Sequence, residues 1–88
     1  MAHVFLPTTL TPLFRDLPRR VEIDDAATVD DAIAHLDERW PGLRDRLCEP
    51  GPVLRRHINV YVDRERAGLD TALAAGSRVD VIAAISGG

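Results

Sequence analysis

One amphipathic helix, with no second of comparable length, sets the main constraint on this chain's fold. Val29, Ile33, Leu36 and Trp40 recur at intervals of four, three and four residues, with Ala32 beside them. At about 3.6 residues per turn these side chains form a single apolar stripe. Thr28 stands at the N-cap position and Asp31 follows three residues later, close to the capping-box pattern. Asp30 and Asp31 fall in the first turn, where the helix dipole favours anions. Pro41-Gly42 ends the helix, and Leu43 and Leu47 predict one further helical turn. The stripe must be covered, and the sequence offers mainly short alternating segments to cover it.

Those segments read as strands. Val4 and Leu6 face one way and Phe5 the other, by the period of two. Residues 15–19 read as a hairpin loop, and Val21 and Ile23 point inward from a second strand. Residues 57–62 alternate cleanly, with Ile58, Val60 and Val62 toward the helix and His57, Asn59 and Tyr61 away from it. Asp63-Arg64 predicts a tight turn into a short edge segment at residues 65–67. Residues 69–73 suggest a helical turn, and Ala75-Gly76-Ser77 another turn. Residues 79–85 are almost continuously apolar, which predicts a central strand covered on both faces. Strands flanking one helix point to an α+β domain, one sheet with the helix on one face.

Composition narrows the function. The 88 residues make room for one domain, 1–88, with a flexible tail at 86–88. Acidic residues number 14 and basic residues 11, all of them arginine, for a net charge of −3. Without lysine there is no Schiff-base chemistry and no phosphate-loop lysine. A net acidic chain with arginines spread from Arg15 to Arg78 does not read as a nucleic-acid binder. The lone Cys48 forms no internal disulfide and no multi-thiolate metal site, which suits a reducing compartment. No stretch approaches the roughly 20 apolar residues of a membrane span, and the first residues lack a signal-peptide pattern. The expected address is the cytoplasm.

Several residues invite a site and are better read otherwise. His3, His35 and His57 have no metal-ligand spacing, so no metal is expected. Asp24-Asp25 and Asp30-Asp31 fit turn and helix-start chemistry. Arg19-Arg20 and Arg55-Arg56 read as solvated surface, Trp40 as core, and Cys48 as an unactivated thiol. Gly87-Gly88 stands apart. Glycine lacks a Cβ, so such a tail can pass a narrow channel. Adenylation would turn the terminal carboxylate into an electrophile with little bulk near its acyl carbon.

The whole chain resembles the ThiS/MoaD family, the sulfur-carrier branch of the ubiquitin-like β-grasp proteins. The matching segments are Thr28-Val29-Asp30-Asp31-Ala32-Ile33, Trp40-Pro41-Gly42-Leu43, Ile58-Asn59-Val60-Tyr61-Val62, Ala75-Gly76-Ser77-Arg78-Val79 and Gly87-Gly88. Within the family it is most similar to the CysO-type carriers of cysteine biosynthesis. The residues behind this are Leu6-Pro7-Thr8 through Leu10, the Pro-rich loop before Arg56-His57, and Asn59-Val60-Tyr61-Val62. Ser86 stands where the family often has Ala, and Asp63-Arg64 replaces a common Asn-Gly-type turn.

The resemblance implies a mixed four- to five-stranded β-grasp sheet with one main helix and a free Gly-Gly tail. It implies that an E1-like enzyme adenylates Gly88 with ATP, and that sulfide or a persulfide then displaces AMP to leave a thiocarboxylate. Ser86 and Gly87 would serve tail recognition. In a CysO-type route the sulfur attacks an aminoacrylate held on pyridoxal phosphate in a partner cysteine synthase, and a metalloprotease releases the adduct. The carrier itself would be no enzyme and bind no cofactor. The alternatives are the small subunit of molybdopterin synthase, which plugs its tail into a large subunit, and a ubiquitin-like interaction or modifier domain.

Alternation adds a docking face. Phe5, Tyr61, Ile82 and Ala84 should point away from the helix, and the implied strand order sets them side by side. The expectation is an exposed apolar patch, edged by His57, Asn59 and Asp80, that receives a partner. The missing lysine would also spare an activated Gly88 from capture by its own surface. GC-rich coding is the simpler account of that absence, since arginine meets most surface needs of lysine. Ser77→Lys, taken as lying near the tail, would test it.

Overall fold

Burial follows the period-two alternation along the longer strands. The computed structural model describes residues 1–84. Its strands are β1 (Ala2–Phe5), β2 (Arg20–Ile23), β3 (Cys48–Glu49), β4 (Val53–Leu54), β5 (Ile58–Val62), β6 (Glu65–Ala67) and β7 (Arg78–Ala83). Its helices are α1 (Val29–Arg39) and α2 (Leu43–Leu47), with a 3-10 turn at Thr11–Leu13. Five strands form one mixed sheet in the order β2-β1-β7-β5-β6, and β3 and β4 form a separate hairpin. β1 runs parallel to β7, while the other pairs in the large sheet are antiparallel.

The helix lies on one face, as its stripe requires. Val29, Ala32, Ile33 and Leu36 of α1 join Val4, Val21, Ile23, Val60, Val79 and Val81 of the sheet in one core. Leu43 and Leu47 of α2 close its end and are fully buried. Thr28 and Asp31 form the complete capping box at the start of α1. Arg44 of α2 donates to Asp30 of α1 at 2.9 Å, which ties the two helices together. This hydrogen bond holds the Arg44 pKa above its ordinary value, against a smaller opposing effect of burial.

Four local expectations change. Residues 69–73 are not a helical turn: Leu69-Asp70 is a turn, and Ala72 bridges to Thr28. The Pro-rich loop holds the β3–β4 hairpin. Trp40 is only partly buried at the rim of the core, with the Arg39 guanidinium 4.6 Å from its ring centroid. β7 is central in the sheet but not covered on both faces, because Ile82 is 48% exposed.

Candidate functional site

β7 is the element that carries the chain toward its Gly-Gly. β5 pairs with it on one side and β1 on the other, so its backbone is held along both edges. Beyond Ala83 the Ala84 amide donates to the His57 carbonyl at 2.7 Å, which fixes the last described residue against the start of β5. Ile85, Ser86, Gly87 and Gly88 lie outside the described residues, so the expected sulfur-carrying and tail-recognition positions lie there too.

The site around Ala84 is built from three separate segments. A cleft of ≈ 340 Å³ runs beside it, lined by Leu10 and Leu13 of the β1–β2 connection, Arg46 and Leu47 of α2, and His57 before β5. Leu13 is 53% exposed. Sequence reasoning singled out neither Leu13 nor Arg46. They are far apart in the chain, and only the topology brings them together.

The expected docking residues do share the face away from α1. In the register, Phe5 and Tyr61 both pair with Asp80, and Asn59 pairs with Ile82. Ile82 and Ala84 are exposed, while Phe5 and Tyr61 are half-buried. These residues do not form a continuous apolar patch. Asp80 sits between Phe5 and Tyr61 rather than at the edge, because adjacent strands place it in register with both. Arg78 binds Asp80 at 2.9 Å and sets its guanidinium 4.2 Å from the Phe5 ring centroid, within cation–π range. Arg20 lies 5.8 Å from the same ring and pairs with Glu22 at 3.3 Å. The face is a charged band with Ile82 and Ala84 emerging at the end nearer the tail.

Among the described residues no group of three His, Cys, Asp or Glu is placed to hold a metal. Among them, too, no helix is long and apolar enough to cross a membrane. Cys48 is buried, and burial pushes its thiol pKa up more than Arg44 and Arg55 pull it down. That is the opposite of activation. Ser77 lies at the opposite end of β7 from Ala84: it precedes the strand, is buried, and accepts from the Ala74 amide at 2.8 Å.

The ThiS family model matches residues 6–88. Small archaeal modifier protein 1 of Haloferax volcanii is 39% identical over 69 residues, covering 78% of this chain and 79% of that protein. Sulfur carrier protein CysO of Mycobacterium tuberculosis is 34% identical over 67 residues, covering 69% of this chain and 72% of that one. A chain in the structure of the Amycolatopsis orientalis BexX/CysO complex superposes with a TM-score of 0.88 at 30% identity, covering 100% of both chains. The relatives are small sulfur-carrier and modifier proteins, and their ubiquitin-like β-grasp is the sheet and helix described above. The chain belongs to the ThiS family.

Proposed function

We propose that the chain is a sulfur carrier whose reactive group is the Gly88 carboxylate. The observation that carries this reading is the family match, which runs through Gly87-Gly88. The course of β7 supports it, because a strand held on both edges delivers the chain to a fixed point four residues short of Gly88. In this reading an E1-like partner uses ATP to form the Gly88 acyl-adenylate and releases pyrophosphate. Hydrosulfide attacks the acyl carbon, the bond to AMP breaks, and a thiocarboxylate remains. The chain catalyses nothing itself and binds no cofactor. ATP belongs to the activating partner.

Similarity to CysO supports cysteine as the product. The thiocarboxylate sulfur would then add to an aminoacrylate held on pyridoxal phosphate in a partner synthase, and a metalloprotease would release the adduct. The large subunit of molybdopterin synthase is the alternative recipient. The archaeal modifier relative favours a second reading, in which an amine of another protein takes the activated acyl group. The deciding experiment is an intact mass after incubation with a competent E1-like enzyme, ATP and sulfide. The carrier reading expects a gain equal to exchanging one oxygen for sulfur, lost on deletion of Gly88. No gain overturns it. A thiol-resistant conjugate with a lysine-bearing protein would favour the modifier.

A further inference from the structure

The arginines of this chain are not equally neutralised. Arg20, Arg44 and Arg78 are paired with Glu22, Asp30 and Asp80 at 3.3, 2.9 and 2.9 Å. The other arginines are in no ion pair with another described residue, and three of them, Arg46, Arg55 and Arg56, lie at one end of the sheet. Arg46 lines a cleft with Ala84, where the chain passes on to its last four residues, and Arg55 and Arg56 lie in the adjoining clefts, next to the His57 whose carbonyl holds the Ala84 amide. The cleft next to Ala84 is lined by Arg46 and His57. A second cleft shares both residues and adds Arg55. A third joins Arg55 to Arg56. The one carboxylate lining these clefts is Asp45, in the second of them. Arg55 donates through Nε to the Asp45 backbone carbonyl at 2.7 Å, which orients its guanidinium without neutralising it.

A chain of net charge −3 thus gathers uncompensated cations where its reactive end departs. We infer that this arginine rim docks on an acidic surface surrounding the tail-binding channel of the activating partner. The inference rests on the sulfur-carrier reading and names the chemistry of that partner's contact. An enzyme that takes the tail must touch the ring of residues from which the tail emerges. Arginines brought there without opposing carboxylates would lose solvation and gain nothing. Opposite an acidic rim they steer encounter and fix the register of the tail. Leu13, exposed on the same cleft, supplies the apolar part of the contact. A nucleic acid fits less well: the chain as a whole is acidic, and no Phe, Tyr or Trp lines these clefts as a stacking platform for bases.

The test measures thiocarboxylate formation by the E1-like partner as the carrier concentration is varied. Arg46→Glu and Arg56→Glu should each raise the KM for carrier about five- to tenfold at low salt, with kcat within about twofold. The difference should shrink at about 0.5 M salt. Arg64→Glu, in the β5–β6 turn at the other end of the sheet, should leave the KM unchanged. An unaltered KM in the rim variants, with the wild type turned over normally, overturns the inference and leaves the carrier reading intact. A raised KM for ATP alone assigns the arginines to nucleotide and also overturns it. Direct titration of the partner without ATP reads docking even where no sulfur is transferred. Equal affinities of wild type and Arg46→Glu in that titration overturn the rim, as does tighter binding to a single-stranded oligonucleotide than to the partner.

Discussion

At the scale of the residue, Cys48 shows how burial decides chemistry. The side chain carries the one thiol of the chain, and two arginines lie near enough to favour its thiolate. Desolvation outweighs them and raises the pKa, so the thiol stays neutral and packs as a small hydrophobe. The consequence for stability has a definite sign. A folded-state pKa above the unfolded value of about 8.5 contributes stability that is complete below that value. It is lost as pH rises through the raised pKa, because the unfolded chain ionises first. Denaturant midpoints compared at about pH 7 and about pH 10 should fall more steeply for the wild type than for Cys48→Ala. Parallel slopes would mean that Cys48 titrates alike in both states. The sequence already pointed to an unactivated thiol, but only the packing of Cys48 in the core supplies the reason.

At the scale of the element, local hydrogen bonds explain what could be read in advance. Thr28 Oγ1 accepts from the Asp31 amide at 3.2 Å, and Asp31 Oδ2 accepts from the Thr28 amide at 3.2 Å. Thr28→Ala should cost about 1 kcal/mol, read as a loss of roughly 4–8 °C in Tm for a domain of this size. The helix was legible because its cap and stripe are both local. Residues 69–73 were not, since Leu69 and Leu73 imitate helical spacing while their backbone serves α1. The Val29 amide donates to the Thr71 carbonyl and the Asp30 amide to the Leu69 carbonyl, which satisfies two first-turn donors that a helix leaves open. The β3–β4 hairpin was hidden because two-residue strands have no period to detect. The β5–β6 turn is legible in Asp63-Arg64, but its strain shows only in the backbone. Asp63 and Arg64 have φ of 49° and 74°, the left-handed pair that favours Asn-Gly. Asp63 also accepts the Arg78 amide at 2.9 Å, so its side chain is engaged. The exposed Arg64 side chain has no such partner among the described residues. Arg64→Gly removes about 1 kcal/mol of left-handed cost and returns part of it as freedom of the unfolded chain. A net gain of about 0.5 kcal/mol in denaturant unfolding is expected, and a loss would show that the arginine side chain contributes to the fold.

At the scale of the whole molecule, the sheet has one face for folding and one left to partners. Alternation made the inward set legible because every inward residue is apolar. It could not show that Asp80, Arg78 and Arg20 would gather over Phe5, since that depends on which strands become neighbours. Ile82 remains the large apolar side chain exposed on this face. If that face meets the activating enzyme, Ile82→Asp should cut the activation rate about tenfold while costing the fold less than about 1 kcal/mol; an unchanged rate removes the face from the docking surface. The same geometry relocates the question raised by the missing lysine. Ser77 lies at the start of β7, and the reactive end departs from the other, beside His57. Four residues beyond Ala84 reach at most about 14 Å, so only an amine near that point could intercept the activated carbon. His57→Lys puts one there on an exposed turn. With the activating enzyme and ATP but no sulfide, the lysine amine should attack the Gly88 acyl-adenylate and expel AMP, giving a chain lighter by one water. Ser77→Lys should give no such product. A His57→Lys chain that is adenylated yet keeps its full mass would show that the activated carbon never meets its own surface, and that lysine is absent for reasons unrelated to the chemistry of the tail.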